Sequence, residues 1–530
     1  MKDDLLSQRI YLLLTFVSGL ILLLPCLIYQ DMFAQGDHGR DLYAYAMTLK
    51  GALPYRDYFW QYGPLMPYYY AFFLKWLGPS ISSILFAETL LKLAGGVTFF
   101  AIMRQSATAA WSFLSTLFFW SFFPYFFHTY SHTGGILFVL LIILTLVKYI
   151  NRPNPSVLYW GSFFLFIFSL IKINFGVCLW GGYLICIFII DRNRGITLEK
   201  RKLYYALSLG ILPLLTILIY YFLIRGVPAY IINQCFPFSK TGGVYSIDPR
   251  ELPNRIYTLL SLFAKSSWQN AVFLVLSTSS IIGFLFQYKK IDPSHRKQIG
   301  FTLISLSFFS ILFLHEFYFS GLHYRALWAI PMLLLIVFIT AHYILKNRPR
   351  IFKVLFMALL AGMILSKTDD RFKNLEAHAH GSYFFSPERA GVLLGNDKAW
   401  FDTVSQTVNF LKRNLTQDEY FFALPYDPLF YYLFNQESPT YQIDFYDYMS
   451  IPEEQDRQSV KDLEQKHVNW IVMSNSVKFV ESSMGEFGVT NSPLLAKYIR
   501  DNFYPVMEVG PWETKPFWNT NYAIRILKRK

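Results

Sequence analysis

The run Tyr11 to Tyr29, YLLLTFVSGLILLLPCLIY, carries no charged side chain and outlasts the ~18 apolar residues that a helix needs to cross a bilayer. Ten further apolar segments follow, near 82-103, 109-127, 134-150, 156-172, 174-190, 203-224, 271-287, 299-315, 326-345 and 351-366. With ~1.5 Å of rise per residue and a ~30 Å hydrocarbon core, these segments predict about eleven transmembrane helices. The fold class is therefore a polytopic α-helical membrane protein, which suits a chain that is 54% hydrophobic and only 16% charged. The first run is long, and Pro25-Cys26 lacks the small residue that a signal-peptidase site requires, so it reads as a retained anchor.

The net charge of +13 is unevenly spread. Residues 1-366 hold 30 Lys and Arg against 13 Asp and Glu, while residues 367-530 hold 18 against 22. The excess thus belongs to the membrane part. It is explained by Lys and Arg retained in cytoplasmic loops beside anionic lipid head groups, and nucleic acid is not an expected partner. Arg152 and the basic runs beginning at Asp191, Tyr288 and Lys346 fall on alternate sides of the span count, which makes the side they share cytoplasmic. The 31-80 loop, the turn from His128 to Thr133, the 225-270 loop, the turn from His315 to Arg325 and everything after residue 366 then face outward. Pro64 to Leu77 is apolar but too short to span upright, so an interfacial helix is expected there.

The C-terminal part has a different texture. A helical pattern near 398-414, buried strand-like runs at 420-425 and 469-474, a polar helix near 456-467 and further strands at 504-510 and 522-528 predict an extracytoplasmic α/β domain over 367-530. The four cysteines all lie in or near apolar segments, and they define no disulfide framework.

Ionisable side chains at membrane depth are costly unless they pair or act on a substrate. They concentrate in the first outward loop, where GDHGRDLYAYAMTLKGALPYRDYFWQYGPLMPYYY begins at Gly36. If the segment after Asp37 is helical, Asp37 and Asp41 sit one turn apart, a like-charge pair that needs an offset from Arg40, Arg56, a cation or a cationic substrate group. Alternatively, Asp37 caps the helix. A carboxylate here can accept a proton from an attacking hydroxyl or amine, and nearby cations can stabilise a departing group, so Asp37, Asp41 and Asp57 are the catalytic candidates. Tyr55 joins Arg40 and Arg56 as a candidate substrate contact, because an interfacial aromatic can stack on an apolar face of a substrate or pack against acyl chains.

Elsewhere, His128 and His132 straddle a short outward turn at i, i+4 spacing, suited to hydrogen bonding, substrate contact or half a metal site. No metal set is predicted, although a divalent cation is compatible with these acids. Lys240, Arg250 and Arg255 accompany a glycine-containing bend in FPFSKTGGVYSIDPRELPNR that can offer backbone amides to an anion. His323, Tyr324 and Arg325 close an apolar run where an arginine can grip a lipid phosphate bidentately or simply snorkel.

The order of an Asp soon after the first span, then LYAYAMTLKGALPYRDYFWQYGPLMPYYYAFF, resembles the GT-C superfamily of membrane glycosyltransferases, in particular the dolichyl-phosphate-mannose protein mannosyltransferase and aminoarabinose transferase-like group. In the C-terminal part, FFALPYDPLFYYLFNQESPT resembles the strand, proline-flanked turn and helix that follow the last span in such proteins. The resemblance implies a GT-C-like transmembrane domain over 1-366 and an activity: inverting transfer of a sugar from a polyprenyl-phosphate-linked donor to lipid A, another envelope glycan or a protein. The reaction is expected on the outer face of a bacterial inner membrane. It maps the family's acid onto Asp37 and its HY motif onto His323 and Tyr324, which with Arg325 imply donor phosphate binding. Where many relatives carry Asp-Glu, this chain has Asp37-His38, so Asp41 or Asp57 would have to supply any second acid. Competing readings are a transporter or flippase of lipid-linked saccharide, which would favour charges inside spans and related halves, and a polymerase or ligase of surface polysaccharide.

Overall fold

The apolar segments become helices wherever the computed structural model describes them. It describes residues 2–28, 36–122, 129–194, 252–266, 268–315, 317, 323–346, 348–381, 389, 398–416, 418–445, 451–478, 487–489, 491–516 and 520–530. Ten of the eleven expected spans coincide with helices, and the eleventh, 203-224, lies outside the described residues. In chain order the membrane part comprises α1 (Lys2–Ile28), α2 (Asp37–Leu49), α3 (Leu65–Leu77), α4 (Ile81–Met103), α5 (Ala109–Phe122), α6 (Tyr130–Asn151), α7 (Pro155–Ser169), α8 (Ile173–Arg194), α9 (Leu252–Ser266), α10 (Trp268–Gln287), α11 (Pro293–Phe313), α12 (Ile330–Lys346) and α13 (Arg350–Gly381). Among the described residues, seven stretches are long and apolar enough to cross a bilayer, on α1, α4, α6, α8, α10, α13 and the segment Arg325–Lys346 that includes α12; α5 and α7 are shorter apolar helices.

These helices differ in how they dispose of apolar surface. α6 and α4 are mostly buried within the bundle, whereas α1, α10 and α13 expose Leu13, Ile21, Phe286 and Leu365, the pattern of helices whose outer faces meet lipid tails. α4 carries an ion pair inside its span: Glu88 lies 3.1 Å from Lys92 and accepts a hydrogen bond from Thr133 of α6, so both carboxylate oxygens are engaged. The helix expected at Pro64 to Leu77 is α3. It buries Met66, Tyr70, Ala71 and Leu74 and exposes Tyr68, Phe72 and Trp76 at i, i+4, i+8, an apolar stripe suited to a bilayer surface.

The C-terminal region begins with α14 (Lys398–Asn414) and continues through β1 (Phe421–Leu424), α15 (Leu429–Phe434), α16 (Glu453–Gln465), β2 (Trp470–Ser474), α17 (Pro493–Asn502), β3 (Phe503–Val509) and β4 (Ile524–Arg529). Its sheet runs β1-β2-β4-β3, with β1 and β2 parallel and the other pairs antiparallel. Alternate residues of a strand point to opposite faces. Phe422, Leu424 and Ile471 accordingly pack with Leu463 of α16 and Leu495 and Ile499 of α17.

The other face, with Phe421, Ala423, Val472, Ile524 and Ile526, packs with α14 and shares one core with Leu42, Tyr43, Trp60 and Tyr70 of the 36-77 segment. Backbone and side-chain bonds reinforce this junction: Phe59 N donates to the Tyr441 carbonyl, Ser438 N to the Tyr43 hydroxyl, and Lys50 Nζ to the Asn435 carbonyl at 2.7 Å. The first loop and the C-terminal region therefore lie on the same side of the helical bundle.

Candidate active site

α2 begins at the junction between these two regions. Gly36 adopts φ of 84°, a left-handed conformation that glycine tolerates, and donates its N–H to the Tyr426 carbonyl at 2.8 Å. Asp37 then occupies the first helical position. Gly36, and not Asp37, is the N-cap residue.

The offset needed by Asp37 and Asp41 comes from Arg40. Its Nη1 lies 2.7 Å from Asp37 Oδ1, and its Nη2 and Nε reach Asp41 Oδ1 at 3.0 and 3.3 Å. Asp41 is sealed from solvent and accepts on Oδ2 from Thr129 Oγ1 at 2.6 Å, Tyr45 OH at 3.1 Å and the Ser131 N–H at 3.4 Å. A buried carboxylate loses several kcal/mol of hydration, and these donors from α2 and the start of α6 offset that loss. Burial disfavours the charge on Arg40, but Tyr426, Tyr62, Asp37 and Asp41 around it prevail and hold the guanidinium above its ordinary range. Asp37 differs from Asp41 in access, since its side chain keeps 32% of its surface exposed.

Tyr426 reaches this group from the turn between β1 and α15. Its hydroxyl donates to Asp37 Oδ1 at 2.6 Å and accepts from Arg40 Nη1 at 2.8 Å. Burial pushes the phenol well above its usual range despite the opposing pull of Arg40, so it stays protonated and able to donate. The turn is fixed by the next residue, Asp427, which accepts from Ser474 Oγ and Tyr522 OH, both at 2.6 Å; burial pushes its carboxyl up to about 6.

A wall of rings and cations extends from Arg40. The guanidinium lies 4.8 Å from the Tyr62 ring and 5.6 Å from Trp60. On the same Tyr62 converge His132, 5.1 Å between ring centroids, and the buried Lys172, whose ammonium also lies 4.5 Å from Phe175 and 5.1 Å from Trp328. Trp328 in turn packs against His132 at 4.9 Å and shares a 3-10 turn, His323–Ala329, with the buried Arg325. His323 and Tyr324 open that turn. Cations held against ring faces retain favourable electrostatics after losing water, which keeps them available to an anion.

Backbone pairing places Lys172 here. Gly63 N donates to the Ile171 carbonyl at 2.8 Å and Leu65 N to the Leu170 carbonyl at 3.0 Å, tying the first loop to the α7–α8 turn. A Cβ at position 63 would overlap the Leu170 carbonyl. Gly63→Ala should therefore force the turn and Lys172 away from Tyr62. The expected result is a destabilisation of about 1–3 kcal/mol, of the size seen for overpacking, read as a lowered midpoint in thermal unfolding of the detergent-solubilised protein. An unchanged midpoint would mean that the turn yields without strain.

Other expected residues make different contacts. Asp57 forms a bidentate pair with Arg56 at 2.7 and 2.6 Å and accepts from the Leu53 N–H, and the Arg56 hydrogen bonds hold its carboxyl below the usual range. Tyr55, at φ of 69°, donates its hydroxyl to the Tyr62 carbonyl and accepts on its own carbonyl from Tyr441 OH, so it supports the ring wall from behind. Arg255 lies on α9. His128, Lys240 and Arg250 fall outside the described residues.

Lys172 and Tyr426 are among the members of the cluster that did not emerge as candidates from sequence. Lys172 is the one charged residue between Val157 and Ile190, a signal of its own under the rule that ionisable groups at membrane depth are functional by default. Tyr426 carries no comparable mark. Among the described residues, no three His, Cys, Asp or Glu side chains gather as a metal set, and Asp37 and Asp41 are both paired with Arg40.

No family model matches the sequence, and no curated protein matches it. Solved structures do. ArnT from Cupriavidus metallidurans bound to undecaprenyl phosphate superposes with a TM-score of 0.55 at 13% identity, covering 97% of each chain, and its apo state gives 0.56 at 14% with the same coverage. The archaeal oligosaccharyltransferase AglB from Archaeoglobus fulgidus, in complex with an inhibitory peptide and a dolichol-phosphate, gives 0.53 at 11% identity over 96% of this chain and 74% of its own. The chain has the GT-C fold. The Archaeoglobus fulgidus enzyme is also described in complex with Zn and sulfate, at a TM-score of 0.52 and 11% identity.

Proposed function

We propose that this chain is an inverting glycosyltransferase of the bacterial inner membrane that moves a sugar from a polyprenyl-phosphate-linked donor to an envelope acceptor, a lipid such as lipid A, a glycan or a protein, at the outer face. The observation that carries this reading is the division of labour between the two acids of α2: Asp41 is sealed and holds Arg40, while Asp37 is held by Arg40 yet remains accessible. That is the environment of a carboxylate that meets a substrate proton. The outward orientation is supported by the shared side of the first loop and the C-terminal region, together with basic loops at the opposite helix ends.

In the reaction, an acceptor hydroxyl or amine forms a bond to the anomeric carbon, the bond from that carbon to the phosphate oxygen breaks, and the electron pair leaves with the phosphate. Asp37 takes the proton from the acceptor. Lys172 and Arg325, with His132, His323 and Tyr324, are assigned to the growing phosphate charge, where buried cations act more strongly than in water. The lipid tail lets the donor enter sideways from the bilayer and supplies binding energy through apolar contact. Asp41 is assigned to positioning Arg40, and Asp57 with Arg56 to shaping the loop.

The test is transfer of labelled sugar from synthetic polyprenyl-phosphate donors to envelope extract by the purified wild-type protein in detergent. Product that forms with inversion at the anomeric carbon supports the reading. No transfer with any donor, combined with movement of lipid-linked saccharide across protein-containing vesicles, would replace it with a transporter.

A further inference from the structure

We propose that Tyr426, supplied by the C-terminal region, is a positioning residue of the active site: its phenol pins Asp37 Oδ1 against Arg40, so that the reacting acid is ordered only when that region is docked on the first loop. The inference rests on the glycosyl-transfer reading for its consequence in turnover, but its geometric content stands on the structure alone.

Three observations converge on it. The hydroxyl both donates to Asp37 Oδ1 and accepts from Arg40 Nη1, closing a three-membered ring of bonds with the Arg40–Asp37 ion pair. With the Tyr426 hydrogen bond and the Arg40 ion pair both on Oδ1, rotation of the Asp37 side chain is constrained while its exposed surface stays open to a substrate. The Tyr426 backbone is held from both sides, since its carbonyl accepts from Gly36 N and the adjacent Asp427 is anchored in the C-terminal core by Ser474 and Tyr522. A side chain fixed at its backbone and at its tip imposes its position on the flexible partner, which here is a carboxylate at a helix start.

A phenol that donates to a carboxylate favours the ionised form, so its removal should make Asp37 easier to protonate. Tyr426→Phe keeps the ring, the packing and the backbone bond to Gly36 and removes only the hydroxyl. Carbodiimide-driven amidation, which requires the protonated acid, reads this directly when Asp37 labelling is followed by peptide mass spectrometry across pH. The expected result is labelling about threefold faster or more in Tyr426→Phe at a given mildly acidic pH. Lys50→Met, which removes a different bond between the same two regions, should label like wild type. Equal rates in Tyr426→Phe and wild type overturn the proposal, whatever the activity.

In the transfer assay, Tyr426→Phe should lower kcat about tenfold or more with little change in donor KM, and move the acid limb of the pH profile to higher pH. A structural role alone would lower the amount of active protein and leave the limb in place. If wild type transfers nothing, the functional reading fails, and the labelling experiment still decides the role of Tyr426.

Discussion

Asp37→Asn protein should purify as a monodisperse species with near wild-type unfolding and transfer sugar about 10²–10⁴-fold more slowly, the contribution expected of a general base. The substitution keeps the shape of the side chain and an oxygen that can accept from Arg40 and Tyr426, so the local bonds survive while the basic oxygen is lost. Single-turnover transfer of labelled sugar, with donor at saturation, separates the chemical step from binding: kcat should fall and donor KM should change little. Transfer at the wild-type rate would remove Asp37 from the proton path and move attention to Asp57, because Asp41 is sealed by its four donors. Loss of transfer accompanied by aggregation would be a folding result, distinguished by the monodispersity check.

The second large effect is on stability. Arg40→Met should destabilise the protein by about 3–5 kcal/mol, the cost of leaving a buried carboxylate without its charge partner. Arg40 and Asp41 are both fully buried, so water cannot replace what is lost. Arg56→Met, which breaks a half-exposed pair with Asp57, should cost no more than about 1 kcal/mol. The informative comparison is the double variant Arg40→Met with Asp41→Asn. Removing the stranded charge should recover a large part of the loss, giving a coupling well above the few tenths of a kcal/mol seen between independent sites. Chemical unfolding monitored through tryptophan fluorescence provides the measurement. Equal destabilisation by Arg40→Met and Arg56→Met would show that Asp41 finds other compensation.

The membrane helices and most C-terminal elements were legible because their signals are local: a run of apolar residues long enough for the bilayer, or alternation at strand period. The place of Asp37 on a helix one turn from Asp41 was legible for the same reason, as was the need for an offset, since spacing alone brings Arg40 to both acids. The distinct environments of the acids were not legible. They depend on Thr129 and Ser131, 88 and 90 residues from Asp41, and on Tyr426, 389 residues from Asp37.

α17 shows the same limit in the fold. Its N-cap, Ser492, makes no side-chain capping bond, and its N-terminus is satisfied instead by the Asp456 carboxylate of α16, which accepts from Leu494 N at 2.8 Å and Leu495 N at 3.2 Å. Lys172 is intermediate: its isolation in an apolar run was visible, but its cage of Tyr62, Phe175 and Trp328 is assembled from three separate parts of the chain.

The two-faced C-terminal sheet has a consequence for biosynthesis. Ile524 and Ile526 of β4 belong to the same core as Leu42 and Trp60 of the first loop, so the loop bearing Asp37 emerges from the ribosome long before the strand that completes its packing. Insertion of α1 to α13 can proceed without that strand. On the function proposed here, the acid assigned as the base is then ordered last, and a partly made chain already resident in the bilayer would hold no finished site with which to consume a lipid-linked donor.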